Sequence, residues 1–363
     1  MRPRCRTFGL RLGVLETGPR NTIADVGEVR VGHVTLISGE GKLVPGQGPV
    51  RTGVTVIVPH RGNLLKDRPK ANWDTINGCG ELTSAVIMRE FGLIETPIAL
   101  TNTMCVGNAA IGLIEATMEA NPEADAFVPT VSECDDSFLN DARGLHVKPH
   151  HVGEALRAAS DDIPMGVVGA GTGMTCCQFK GGVGSASRRV SAADGGYLVG
   201  ALVVSNFGWR EHLVIGGVSV GRALIAREKA KGAIPPGGGG SIVMILATDA
   251  PLSSRQLGRL ARRSFHGLAR IGSFSGNGSG DITVAFSTSN RVPADAEDGV
   301  LTEKRLPDGR MNPLFLAAVE ATEEAIVDSL FTAETVVGRD GNTSPGLPVP
   351  EVVEILRDLG RIV

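Results

Sequence analysis

A glycine run that ends in a serine and passes at once into a buried-strand pattern concentrates the chemistry of this chain: PPGGGGSIVMILATDAP, residues 235–251. On the glycines alone, a linker ahead of a second domain is the plainer reading, because such segments are flexible. Ser241 supports a sharper one. Glycine has no Cβ and tolerates unusual backbone angles, so the Gly240 carbonyl can be presented to the Ser241 hydroxyl in a strained geometry. Attack by that hydroxyl forms an ester, and water then releases two chains, 1–240 and 241–363. Ser241 becomes a new N-terminus. A free α-amine has a pKa of about 7.7–8.0, so it can act as general base at neutral pH beside the hydroxyl it activates. The scheme needs no histidine.

Small polar groups on neighbouring strands should support it. In SGNGSGDITVAFSTS, Ser279 and Asp281 are two residues apart and share one face of a strand that begins early enough; otherwise they are a turn residue and a strand cap. Asn206 ends the run YLVGALVVSN, where its amide can donate to an oxyanion or simply form a turn. Other motifs carry less. Gly-Val-Ser-Val-Gly around Ser219 has the form of a nucleophile elbow, but the one histidine after it is His266, in an arginine-rich helical pattern. The loop GAGTGM has spaced glycines and no helix after it to receive a pyrophosphate. His150 and His151 read as a loop pair without a third ligand. Six cysteines (Cys5, Cys79, Cys105, Cys134, Cys176, Cys177) have no metal-ligand spacing and read as small buried hydrophobes in reduced form. Neither a metal nor a cofactor is expected.

The elements that must position these groups are strands and helices mixed along the whole chain. Apolar, β-branched runs at 54–60, 97–103, 197–206, 242–249 and 281–289 read as buried strands. Helical patterns end at Gly92 and Pro122, start at Ser253 or Ser254, and start again at Pro313 and Pro350. Arg255, Arg259, Arg262 and Arg263 read as the solvated side of their helix. The class is therefore layered α/β or α+β. The 49 glycines, about twice the usual share, suit tight turns and close strand packing. A net charge of −3 and a single tyrosine argue against nucleic acid and membrane surfaces as partners. The start lacks the apolar core of a signal peptide and no stretch is long enough to span a bilayer, so a cytoplasmic protein is expected.

In order and spacing, a set of segments resembles the L-aminopeptidase/D-esterase–amidase family, which includes the β-peptidyl aminopeptidases. They are NTIADVGEVRVGHVT, TGVTVIVP, ETPIALTNT, GAGTGM, KGGVGSASR, SNFG, GSIVMILATDAPL, GNGSGDITVAFSTSN and DGNTSPGLP. The resemblance implies one four-layer αββα sandwich over 1–363, related to ornithine acetyltransferase, cleaved between Gly240 and Ser241 and assembled as a homo-oligomer, a tetramer of two-chain units. It implies Ser241 as nucleophile with its own amine as base, Ser279 and Asp281 orienting that amine, and Asn206 stabilising the oxyanion. Two positions depart from the family pattern. Asp281 stands where the best-known members carry glutamate, and in ECDDSFLND Phe138 stands where the family has a tyrosine. A substrate amine needs an acidic partner; Glu133 and Asp135 beside Phe138 are the candidates, against a reading as surface charges. The expected activity is release of N-terminal residues from short peptides, amides or esters through an acyl-enzyme. Acyl transfer to another amine, and a non-catalytic homologue that binds a small molecule, are the alternatives.

Overall fold

The β-branched runs pair into two main sheets in the computed structural model, which describes residues 2–229, 240–294 and 299–362. In the first sheet, β1 (Arg30–Ser38), β2 (Val50–Val58), β4 (Ile98–Asn102) and β5 (Thr130–Cys134) lie in that order. The second is ordered β3-β11-β10-β9-β8, from β3 (Asp67–Gly78), β11 (Gly280–Pro293), β10 (Ser241–Thr248), β9 (Leu198–Asn206) and β8 (Gly182–Arg189). Between them in sequence, β6 (Thr175–Cys176) and β7 (Phe179–Lys180) make a small hairpin. The central strand β10 is buried at every position, parallel to β11 and antiparallel to β9. A strand covered on both faces reads as a continuous apolar run, which is why 242–249 stood out.

Alternation along the strands separates two cores. Val243, Ile245, Val204, Ile282 and Val284 meet Ile57, Ile98 and Leu100 of the first sheet between the layers. Ile242, Met244 and Leu246 point the other way, toward the side covered by α5 (Ser254–Arg270) and α6 (Asn312–Thr332). Across the molecule, α2 (Val106–Ala120) and α3 (Pro149–Arg157) cover Val54, Val56, Ala99 and Val131 on the outer face of the first sheet. The layers run helix, sheet, sheet, helix, the αββα order that the sequence resemblance implies.

Local signals set most helix ends. Ser253 caps α5: its hydroxyl accepts from the Gln256 amide while the Gln256 side chain accepts from the Ser253 amide. Short α1 (Ala85–Phe91) stops at Gly92, whose φ is 69°. On α5, Arg255 and Arg262 pair with Asp308 and Asp74 at the surface, whereas Arg263 lies 4.1 Å from the centroid of the Phe315 ring. His150 and His151 are not in a loop; they open α3 after Pro149 at its first position. Ser219, exposed just before α4 (Val220–Lys229), stands apart from the exposed His266 on α5, so the elbow pattern assembles no triad.

The helix α6 is buried on all sides and carries its charges inward. Glu324 takes hydrogen bonds from Arg6 and Arg188, Glu320 from Arg188, and Asp328 from Arg4. Glu324 and Asp328 also lie beside Cys5 in a cluster of possible metal ligands. Their oxygens are already committed to arginines and, for Asp328 Oδ1, to the Cys5 amide, which makes the cluster an ion-pair network. All six cysteines are free thiols.

Close approach of α6 to β8 depends on one residue. A Cβ at Gly184 would stand 1.9 Å from the Ala325 carbonyl oxygen. Gly184→Ala is therefore expected to lower stability by roughly 1–3 kcal/mol or more through overpacking, read as a shifted denaturant midpoint. Gly309→Ala, where nothing stands within 4 Å, should shift it little. Equal midpoints for the two variants would contradict this packing account.

Candidate active site

The start of β10 is a crowded junction. Ser241 is paired with Asn206 at the end of β9, and Ile242 with Asp281 at the start of β11. Gly240 has φ 121°, and a Cβ there would sit 1.8 Å from the Asn206 carbonyl oxygen and 3.2 Å from its Nδ2. Only glycine fits a position that is both left-handed and pressed against backbone. The strand begins at Ser241 itself, one residue earlier than its apolar run. The preceding Pro235–Gly239, on which the linker reading rests, lie outside the described residues.

Paired residues of neighbouring strands share a face, so Ser241 and Asn206 face the interior between the sheets with Val243 and Val204. The Asn206 amide is held at both ends. Its Oδ1 accepts from the Thr175 amide at 2.8 Å, and its Nδ2 donates to the Asp135 carbonyl at 2.8 Å. The first bond sets which end is nitrogen, and one N–H of that nitrogen remains for another acceptor.

Ser279 and Asp281 are brought together as a pair rather than as a turn residue and a cap. Ser279 Oγ donates to Asp281 Oδ1 at 2.6 Å, and both residues are buried. Asp281 Oδ2 has no hydrogen-bond partner among the described residues. Burial pushes the carboxyl pKa up, and the Ser279 and Ser275 hydroxyls hold it back in part. Asp281 shares the face of Ile242, on the helix side of the sheet, opposite the Ser241 side chain.

The two acidic candidates separate sharply. Glu133 is 3% exposed and accepts hydrogen bonds from the Thr103 hydroxyl and the Glu81 amide. Burial raises its pKa. The point where a Gly80 Cβ would stand lies 3.3 Å from both Glu133 Oε1 and Ile282 Cδ1, which places the carboxylate against the interior side of β11. Asp135 is exposed, and its two oxygens take the amide and hydroxyl of Ser137. It meets the site through its carbonyl instead. Phe138 is 41% exposed, and its backbone carbonyl accepts from Asn342.

Two supporting residues escape a reading of the sequence. Lys180 is fully buried and donates to the carbonyls of Gly171, Met174 and Gly181 at 2.6–2.9 Å. Burial brings its pKa down to about 7, yet three carbonyl acceptors are the partners an ammonium needs. The bond to Met174 fixes the residue before Thr175, whose amide holds Asn206. Asp136 is buried just after β5; its Oδ1 accepts from Asn140, its Oδ2 is unpartnered among the described residues, and burial raises its pKa to about 7.

The Asp136 shift has a readable consequence. The folded state keeps a proton between about pH 4 and 7 that the unfolded chain has lost. This contribution is present below the unfolded value and is lost as pH rises through the folded one. Between pH 5 and 7.5 the wild type should lose up to a few kcal/mol relative to Asp136→Asn, on the order expected for a shift of this size. Denaturant midpoints of both proteins at the two pH values check this; parallel pH dependence would contradict it.

Comparison with known proteins gives a consistent result. The sequence model of peptidase family S58 matches residues 21–344. The β-peptidyl aminopeptidase BapA of Sphingosinicella microcystinivorans is 41% identical over 372 aligned positions, covering 99% of this chain and 93% of that protein. The crystal structure of the PH0078 protein from Pyrococcus horikoshii OT3 superposes with a TM-score of 0.94 at 49% identity, over 99% of this chain and all of that one. The L-aminopeptidase D-Ala-esterase/amidase from Ochrobactrum anthropi, described as a prototype of the serine aminopeptidases and a variant of the Ntn-hydrolase fold, superposes with a TM-score of 0.90 at 35% identity over the full length of both chains.

Proposed function

The chain belongs to peptidase family S58 and is a hydrolase, an aminopeptidase of the N-terminal-nucleophile type, and from that premise we propose that Ser241 becomes its nucleophile when the Gly240–Ser241 bond is cut. The observation that carries this reading is the Gly240 backbone, held at φ 121° against the Asn206 carbonyl at the head of the central strand. Attack of the Ser241 hydroxyl on the Gly240 carbonyl gives an ester, and its hydrolysis yields chains 1–240 and 241–363 of one domain.

In turnover the new α-amine takes the hydroxyl proton as Ser241 Oγ attacks the substrate carbonyl. The free N–H of Asn206 receives the oxyanion, a contribution worth roughly 3–4 kcal/mol in comparable sites. The amine returns the proton to the leaving nitrogen, and water releases the acyl group by the reverse route. Asp281, steadied by Ser279, balances the ammonium; its unpartnered Oδ2 supports this role despite a side chain one methylene shorter than glutamate. Glu133 anchors the substrate's free amine, supported by its burial and its fixed orientation. The Asp135 carboxylate is given no such role, and Phe138 offers no hydroxyl.

The substrates we assign are short peptides and amino-acid amides or esters, in line with the names of the relatives. We also propose a cytoplasmic, homo-oligomeric enzyme, a tetramer of two-chain units; the six free thiols suit a reducing compartment. Among the described residues, no helix is long and apolar enough to cross a membrane.

On denaturing electrophoresis the purified protein should give two fragments, of about two thirds and one third of its length, while Ser241→Ala stays a single full-length band without amidase activity. A Ser241→Ala variant that still hydrolyses an aminoacyl nitroanilide rules out this nucleophile. Asp281→Asn removes a negative charge beside the ammonium and so lowers the amine pKa. The acid limb of kcat/KM should then move to lower pH, with kcat reduced; a limb that stays in place contradicts the pairing of Asp281 with the amine.

A further inference from the structure

A cavity of about 340 Å³ opens beside Gly240 and Ser279, and its wall residue Phe207 belongs to the core on the helix side of the central sheet. Phe207, Gly208 and Trp209 form much of its wall, with the loop that follows α5. The Trp209 ring is stacked on Phe274 at 5.1 Å and 8°, and His212 sets its ring edge-on to both. Gly276 makes room for this wall, since a Cβ there would stand 2.8 Å from Trp209 Cη2. A pocket this apolar, touching Ser279 and the scissile position, has no part in the chemistry assigned so far.

The two faces of the sheet decide what it receives. The Ser241 side chain, Asn206 and Glu133 lie toward the interior between the sheets, so the acyl half of a substrate, with its free amine, belongs there. Asp281, bonded by Ser279, lies on the opposite, helix-facing side of the same strand heads, level with Ile242. The amine that takes the hydroxyl proton must give it to the departing nitrogen as the C–N bond breaks. The leaving group therefore departs on the side of that amine, where the cavity lies.

We propose that this cavity is the leaving-group subsite, and that it favours aromatic or bulky apolar amines, such as a peptide whose second residue is phenylalanine. The inference rests on Ser241 and its α-amine acting as described above. Trp209 supplies a flat apolar face to the departing residue, and Phe274 and Gly276 hold that face in place.

The test uses the processed enzyme and two substrates with one acyl residue, an aminoacyl-phenylalaninamide and the matching aminoacyl-glycinamide. The wild type should favour the phenylalanine substrate in kcat/KM by about tenfold or more, the scale of apolar side-chain discrimination. Trp209→Ala should bring that ratio toward one, and Gly276→Ala, which pushes the same ring aside, should lower it too. The ratio between two acyl residues on a common leaving group should be the same in wild type and variants. A leaving-group ratio unchanged to within twofold in both variants, or a change confined to the acyl preference, overturns the subsite. Ser241→Ala separates the two levels: if it is inactive while the leaving-group ratio ignores Trp209, the subsite fails and the nucleophile stands. If it remains active, the reading beneath both fails.

Discussion

One backbone contact governs the site: Gly240 packed against the Asn206 carbonyl, closer than any residue with a Cβ allows. The contact exists because β10 and β9 are paired up to their last residues, Ser241 against Asn206. A strand head keeps so close an approach only where the surroundings hold it there. Here they do. Ile242, Val243, Met244, Ile245 and Leu246 are fully buried on alternating faces, a burial worth on the order of 10 kcal/mol by area. That anchorage leaves the head of the strand no freedom to relax away from its neighbour.

Around that contact the fold accepts polar burial that a structural core would avoid. Asp281 and Asp136 each leave one carboxylate oxygen unpartnered among the described residues, and Glu133 is closed over by Gly80 and Thr103. An unpaired buried polar atom costs roughly 1–3 kcal/mol, so such groups gather where chemistry needs them. Lys180 is the counterweight. Its ammonium gathers two carbonyls of the glycine loop and that of Gly181 and, through Met174 and Thr175, holds the Asn206 amide in one orientation. In the mechanism we propose, the two faces of one sheet separate the tasks, with acyl recognition and the oxyanion toward the interior and the proton carrier toward the helices.

Much of this was legible in the sequence for local reasons. The strand head at Ser241, the Ser279–Asp281 spacing and the Ser253 cap follow from periodicity and turn chemistry, whereas the order of layers comes from the family resemblance alone. What was not legible depends on distant contacts. Glu133 and Asp135 are indistinguishable in ECDDSF; only the approach of Gly80, Glu81 and Thr103 buries one and leaves the other in water. Lys180 in a glycine-rich stretch looks solvated until three carbonyls close around it. Trp209 and Phe274 are far apart in sequence and meet because the loops after β9 and α5 converge. His150 and His151, which read as a loop pair, open α3 because Pro149 is a helix-start signal.

The central claim is that an acyl group passes through the Ser241 hydroxyl. Acid-quenching the enzyme during turnover of a slowly hydrolysed aminoacyl ester, followed by intact-mass analysis of the separated chains, tests it directly. The account predicts that the 241–363 chain gains the mass of the acyl group, located to Ser241 by fragmentation, while the 1–240 chain is unchanged. An acyl group found on any other residue, or a chain that never begins at Ser241, would contradict it.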